Sequence, residues 1–199
     1  ELGSAIPAGL YAGFAVGADD GVSEVAETIA CYDGMAEQFA ARTVSLPVLK
    51  GMAPFVAMVS GRRVVLDLGC GPGRDTARLT VLGAYTVGLD LSAELLALAL
   101  RNHPSGAFAR GDMRGLPFGS GLFDGVWCCA SLLHLPREHA FGVLAETRRV
   151  CRPGAALYLG VRLGTADAGF RTTTAAAGSS VITRATKLRD CCSARGSPW

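Results

Sequence analysis

The residues able to do chemistry begin with Asp67-Leu68-Gly69-Cys70-Gly71-Pro72-Gly73. Glycine at alternate positions permits positive φ and lets a bound molecule approach the backbone closely. The acid before the first glycine would repel a pyrophosphate but suits a cationic ligand, such as an amino acid carrying a sulfonium. Asp90 lies about 20 residues beyond the glycines, the offset at which nucleotide-binding folds place a carboxylate on ribose hydroxyls. A carboxylate accepts hydrogen bonds from both vicinal hydroxyls. Gly111-Asp112-Met113 forms a third polar station, and His134, with Ser131 three residues before it, a fourth. A neutral imidazole there could take a proton from an acceptor, and a hydrogen-bonded loop histidine is the plainer reading.

The elements that must position these groups follow from the apolar patterning. Arg63 to Leu68 reads as a buried parallel strand, and Arg74 to Leu82 as a helix ended by Gly83. Ala77, Leu79 and Leu82 are its expected sheet-facing residues. The strand–loop–helix unit is expected to leave loop N–H groups and the helix N-terminus free for a ligand. Ala84 to Asp90 is a second strand, Ser92 caps a helix over Ala93 to Arg101, and Ala107 to Arg110 is a short third strand. Leu122 to Cys129 is the fourth strand, Arg137 to Cys151 a helix, and Ala155 to Val161 the fifth strand after an Arg152-Pro153-Gly154 turn. Ahead of them, Ser23 to Arg42 is helical in pattern with Ser23 as N-cap, and Gly34 weakens it. Leu46 to Met58 reads as helical turns leading into the first strand. The expected architecture is α/β: a Rossmann-like, doubly wound, mostly parallel sheet with helices on both faces.

With these residues in place, the chain resembles the class I S-adenosylmethionine-dependent methyltransferases, closest to the group whose first motif is D-x-G-C-G-x-G. Tyr32-Asp33-Gly34-Met35-Ala36-Glu37-Gln38-Phe39 resembles that family's Y-D-x-x-A-x-x-Y segment, Leu116-Pro117-Phe118 with Phe123-Asp124 its L-P-F-x-x-x-x-F-D run, and Arg149 to Gly154 its R-V-L-[KR]-P-G-G turn. The resemblance covers Tyr32 to Arg162. It implies S-adenosyl-L-methionine as cofactor and methyl transfer to a small-molecule acceptor. It places Asp67, Gly69, Cys70, Gly71 and Gly73 around the methionine end, Asp90 on the ribose, and Leu91, Asp112 and Met113 along the adenine. Tyr32 would face the cofactor from above, Ser131 and His134 would form the wall between donor and acceptor, and His134 is the candidate base. A non-catalytic methyltransferase-like binding protein, lacking acceptor-side elements, is the alternative. A nicotinamide oxidoreductase would want G-x-G-x-x-G, whose third glycine this chain lacks.

Composition bounds the remaining classes. The 199 residues suit one domain, and the net charge of +2 gives no basic stripe for nucleic acid. No stretch resembles a membrane span, which takes about 20 apolar residues. The seven cysteines are odd in number and lack a C-x-x-C pair. The expectation is therefore reduced thiols, no metal site and a cytoplasmic setting. The domain boundaries expected are a flexible tail over 1–21, the methyltransferase domain over 22–163, and an irregular tail over 164–199.

After Arg162 the family pattern stops. Residues 164–180 are rich in Gly, Ala, Thr and Ser and read as flexible, and 181–199 lacks strand-like alternation. A truncated or altered carboxyl end without the last two strands is expected. It would leave the fifth strand as an exposed edge for a dimer or partner to cover.

Overall fold

A computed structural model describes residues 22–162 and 170–175. Helices α1 (Val22–Gly34), α2 (Ala36–Val44) and α3 (Met52–Met58) precede the sheet. Then come β1 (Val64–Leu68), α4 (Arg74–Val81), β2 (Tyr85–Asp90), α5 (Ala93–Asn102) and β3 (Ala107–Arg110). β4 (Phe123–Cys129) is followed by two 3-10 turns, Leu132–His134 and Arg137–His139, then α6 (Ala140–Val150) and β5 (Cys151–Arg162). The last described strand is β6 (Phe170–Ala175). The sheet order is β3-β2-β1-β4-β5-β6, with the first five strands parallel and β6 antiparallel to β5.

Alternation along β1 and β4 divides the core between the two faces of this sheet. Val65 and Trp127 turn to one face, where Met52, Phe55 and Val56 of α3 and Tyr158 of β5 are buried with them. Trp127 stacks on Tyr158 with ring centroids 3.6 Å apart. Leu66, Leu68, Val126 and Cys128 face the other side, with Val143 and Val150 of α6. Aromatic stacking of this kind adds roughly 1 kcal/mol beyond area burial.

The family-like motifs prove to be staples between segments. Asp124 accepts the Val64 N–H at 3.0 Å and an Arg152 N–H at 3.0 Å, fastening the start of β1 to β4 and to the turn inside β5. Arg149 donates to the carbonyls of Phe118 and Leu116, and Glu146 accepts the Leu116 N–H. The Leu-Pro-Phe loop and the Arg-Val-Cys-Arg-Pro-Gly turn are thus two halves of one contact.

Five expectations are corrected. The first helix begins at Val22, one residue before Ser23, and is two helices joined at Met35, next to the weakening Gly34. On α4 the buried residues are Asp75, Thr76 and Leu79, while Leu82 is exposed, because the inward face carries a polar network rather than an apolar stripe. The segment read as flexible contains β6, whose Thr172-Thr173-Thr174 run suits a strand. Pairing from Leu157↔Ala175 to Arg162↔Phe170 therefore covers the β5 edge that a dimer was expected to cover. Cys70, Cys128, Cys129 and Cys151 are free thiols as expected, but Cys31 is disulfide-bonded, which corrects the expectation of reduced thiols throughout. The expectations for 1–21 and 181–199, including Cys191 and Cys192, lie outside the described residues. No described helix is long and apolar enough to cross a membrane.

Candidate functional site

The chain runs outward from β1 to β2 and β3, then returns to place β4 on the other side of β1. Strand order reverses there, and in open α/β sheets ligands bind in the crevice at the carboxyl ends of such strands. The Gly69–Gly73 loop rises from β1 on one side and Ala130–His134 from β4 on the other. The hydroxyl of Ser131 joins them, donating to the Leu68 carbonyl at 2.6 Å.

Two loop glycines have different reasons to be glycine. A Cβ on Gly69 would lie 2.2 Å from the Ser131 Cβ, so internal packing excludes any side chain. A Cβ on Gly71 would meet only the Phe39 ring of α2, at 3.6 Å, so the body of the domain leaves space above this residue. Both have positive φ, 78° and 53°. Gly71 is the position where a ligand can come down onto backbone.

The loop N–H groups are not free, contrary to expectation. Gly69 and Cys70 both donate to the Leu89 carbonyl, and Gly71 donates to Asp90 Oδ2 at 2.7 Å. β2 ends level with the loop, so its last carbonyl and carboxylate reach across. Asp90 also accepts the Ser92 N–H at 3.0 Å, while Ser92 Oγ caps α5 by accepting the Leu95 N–H. Ser92 is thus the cap of α5, as its position in the sequence implies.

Asp67 is 2% exposed and accepts the Thr76 hydroxyl at 2.6 Å. Burial, reinforced by the charge of Asp75 and then that of Asp90, pushes its carboxyl up to about 8. Burial also raises Asp90, against the hydrogen bonds it accepts from Ser92 and Gly71. Asp75 accepts Trp127 Nε1–H at 3.2 Å and Arg74 Nε–H at 2.7 Å. Three carboxyls thus meet beneath the loop, an environment that a positively charged ligand would relieve. Burial and the Asp67 charge push the Cys70 thiol well up, so it stays protonated and packs as a small apolar group.

Asp112 follows Gly111, whose N–H donates to the Asp90 carbonyl at 3.0 Å. Asp112 is 3% exposed and held by Arg114, whose side chain and backbone N–H both donate to it. Leu91 and Met113 are half-buried. The cofactor end assigned to Asp112 would therefore meet a carboxylate already paired.

From above, Tyr32 OH meets His134 Nε2 at 3.2 Å. Burial lowers the imidazole to about 4, outweighing the Ala130 backbone, which favours the charged form. His134 is thus neutral at physiological pH. Ala130 turns the chain at the end of β4 with φ of 56°, a left-handed conformation that costs a non-glycine residue about 1 kcal/mol.

Asp75, Thr76, Phe39 and Ala130 complete the site without having been singled out in the sequence. Asp75 and Thr76 read as an ordinary polar first turn, and nothing about an alanine announces positive φ. Tyr32 and His134, the loop and Asp90, and Ser131 and Leu68 are brought together by hydrogen bonds.

The site's residues fit S-adenosylmethionine in two respects: an acid-lined floor for a cationic ligand and an approach open above Gly71. Residues 65–154 match a family described as a methyltransferase domain. An uncharacterized methyltransferase of Synechocystis is 36% identical over 96 residues, 48% of this chain and 45% of that protein. Demethylmenaquinone methyltransferase of Mycobacterium tuberculosis is 40% identical over 94 residues, 47% of this chain and 38% of that protein. The matched region thus spans less than half the length of these curated relatives. Among solved structures, a Methanosarcina mazei SAM-dependent methyltransferase aligns with a TM-score of 0.51 at 25% identity, covering 60% of this chain and 59% of that one. A TehB-like SAM-dependent methyltransferase of Corynebacterium glutamicum shares the fold at a TM-score of 0.56 and 22% identity, covering 68% and 74%. Residues 65–154 thus match a methyltransferase domain, and in its glycine loop, acid-ended strands and strand order the chain is similar to S-adenosylmethionine-dependent methyltransferases.

Proposed function

We propose that the domain, over residues 22–163, binds S-adenosyl-L-methionine at the carboxyl ends of β1, β2 and β4 and transfers its methyl group to a small-molecule acceptor. The observation that carries this reading is the convergence of Asp67, the glycine loop and the Asp90 carboxylate at the strand-order reversal. When bound, the cofactor supplies a methyl group already activated on a positively charged sulfur. The chain's own residues then have to bind, orient and exclude water.

Asp67 and the Gly69–Gly73 loop, with Cys70 packed beneath, hold the methionine end, and Asp90 accepts the ribose hydroxyls. Leu91, Asp112 and Met113 line the adenine, and Ser131 fixes the β4 wall against β1. Tyr32 and Phe39 roof the site. His134 is the candidate base. In the tautomer whose Nε2 accepts from Tyr32, an acceptor proton could pass to the Tyr32 oxygen as the tyrosine proton moves to the imidazole, a transfer made uphill by the burial that lowers this imidazole to about 4. The acceptor is a small molecule that carries a removable proton. The cytoplasm is the proposed setting, and neither nucleic acid nor a membrane is a proposed partner.

Calorimetric titration with S-adenosylmethionine and its demethylated product, on wild type and Asp90→Ala, tests the binding. Micromolar affinity lost in the variant supports the reading, and no heat from a folded wild-type chain refutes it. Binding without turnover across an acceptor screen would favour the non-catalytic alternative.

A further inference from the structure

Asp33 has no part in the assignments above, yet its carboxylate leaves its own helix to bond two groups near the site. Ser92 Oγ donates to Asp33 Oδ1 at 2.5 Å, and the Glu94 N–H donates to the same oxygen at 3.3 Å. Ser92 is fully buried and is the residue that ties Asp90 to the start of α5. The preceding residue, Tyr32, points the other way and bonds His134 beyond the end of β4. Two successive residues of α1 thus grip the carboxyl ends of β2 and β4, on either side of the β1 glycine loop.

The rest of this segment packs apart from the main core. α1 and α2 bury their apolar residues in a satellite cluster with Leu95 and Leu98 of α5, separate from both faces of the main core. Their joint at Gly34–Met35 borders a cavity of about 180 Å³, also lined by Glu37, Glu94 and Arg101. A Cβ at Gly34 would meet nothing within 4 Å. The Glu37–Arg101 pair across it is largely exposed, and such pairs hold little. The end of α2 is tied to α4, the Thr43 carbonyl accepting from Arg74 and the Leu46 carbonyl from Arg78, and Cys31 is disulfide-bonded, while Tyr32 and Asp33 supply the polar grips on the carboxyl ends of β4 and β2.

We propose that Asp33 is a positioning residue: by bonding Ser92 and the N-terminus of α5 it clasps α1 over the site, holds Tyr32 against His134, and sets how fast the cofactor leaves. The cofactor part rests on the function proposed above. A carboxylate capping a helix N-terminus while accepting a hydroxyl is worth more than a neutral hydrogen bond, enough for about a tenfold change when removed.

The test compares wild type, Asp33→Ala and Asp33→Asn, the last keeping an acceptor oxygen. Hydrogen exchange over residues 25–34 is measured without ligand, and dissociation of S-adenosylmethionine is followed by stopped flow. Asp33→Ala is expected to raise exchange in α1 and the dissociation rate each about tenfold, with β1 and β4 unchanged and Asp33→Asn close to wild type. Unchanged α1 exchange overturns the clasp. Faster exchange with unchanged dissociation reduces Asp33 to a stability contact and overturns its positioning role. Failure of wild type to bind overturns the cofactor part together with the proposed function, while the α1 exchange still decides the clasp by itself.

Discussion

Lowering the pH should release His134 from its buried, neutral state at a calculable cost. Its imidazole stands at about 4 in the fold against an ordinary 6.5, with burial the larger cause. Between those values the unfolded chain carries a proton that the fold does not, so stability falls as pH falls. The contribution is complete above pH 6.5 and lost by about pH 4. At about 1.36 kcal/mol per pH unit the loss amounts to roughly 3 kcal/mol. The wild-type curve alone cannot display it, because Asp67 slopes the other way: protonated in the fold up to about 8, it favours folding at lower pH. Comparison with His134→Phe cancels every other group. Urea denaturation of both proteins at pH 7, 6, 5 and 4 should show wild-type stability minus variant stability shrinking by roughly 3 kcal/mol across that range. A difference independent of pH would refute the buried neutral imidazole, and with it the proton path through Tyr32.

Gly69→Ala should fail to fold or lose several kcal/mol, since its Cβ would sit 2.2 Å from Ser131 Cβ, whereas Gly71→Ala should fold with a loss of about 1 kcal/mol. Thermal melts separate the two, and Gly71→Ala should still lose cofactor binding in calorimetry. Asp67→Asn should gain stability relative to wild type as pH rises from 5 to 8 and level off above, because it removes a carboxyl that the fold keeps protonated up to about 8. Parallel denaturation series check this, and a constant difference would contradict it. Ser92→Ala should cost about 1–2 kcal/mol, read from urea midpoints, through loss of the α5 cap together with the Asp33 contact.

The motifs made much of the site legible because each demands a residue type locally. The Asp67–Gly73 series requires a strand, a tight loop and a helix in succession, and Asp90 ends a strand of the right length at the right offset. His134 and Tyr32, 102 residues apart, were both identified, but their hydrogen bond was not, since no local pattern records which loop a helix lies across. The inward polar face of α4 went unread for a similar reason. Asp75 looks solvated until Trp127, on a strand 52 residues later, offers its N–H.

Sequence alone therefore determined the order of elements, the identity of the glycine loop and the acids that end its strands, all consequences of periodicity and local backbone chemistry. Tertiary structure decided that β6 closes the β5 edge, that the loop N–H groups turn to Leu89 and Asp90, and that α1 is clasped by Asp33. The physical reason is that hydrogen-bond partners and burial belong to pairs of distant segments. A buried group's partner and its protonation state exist only once those segments have met.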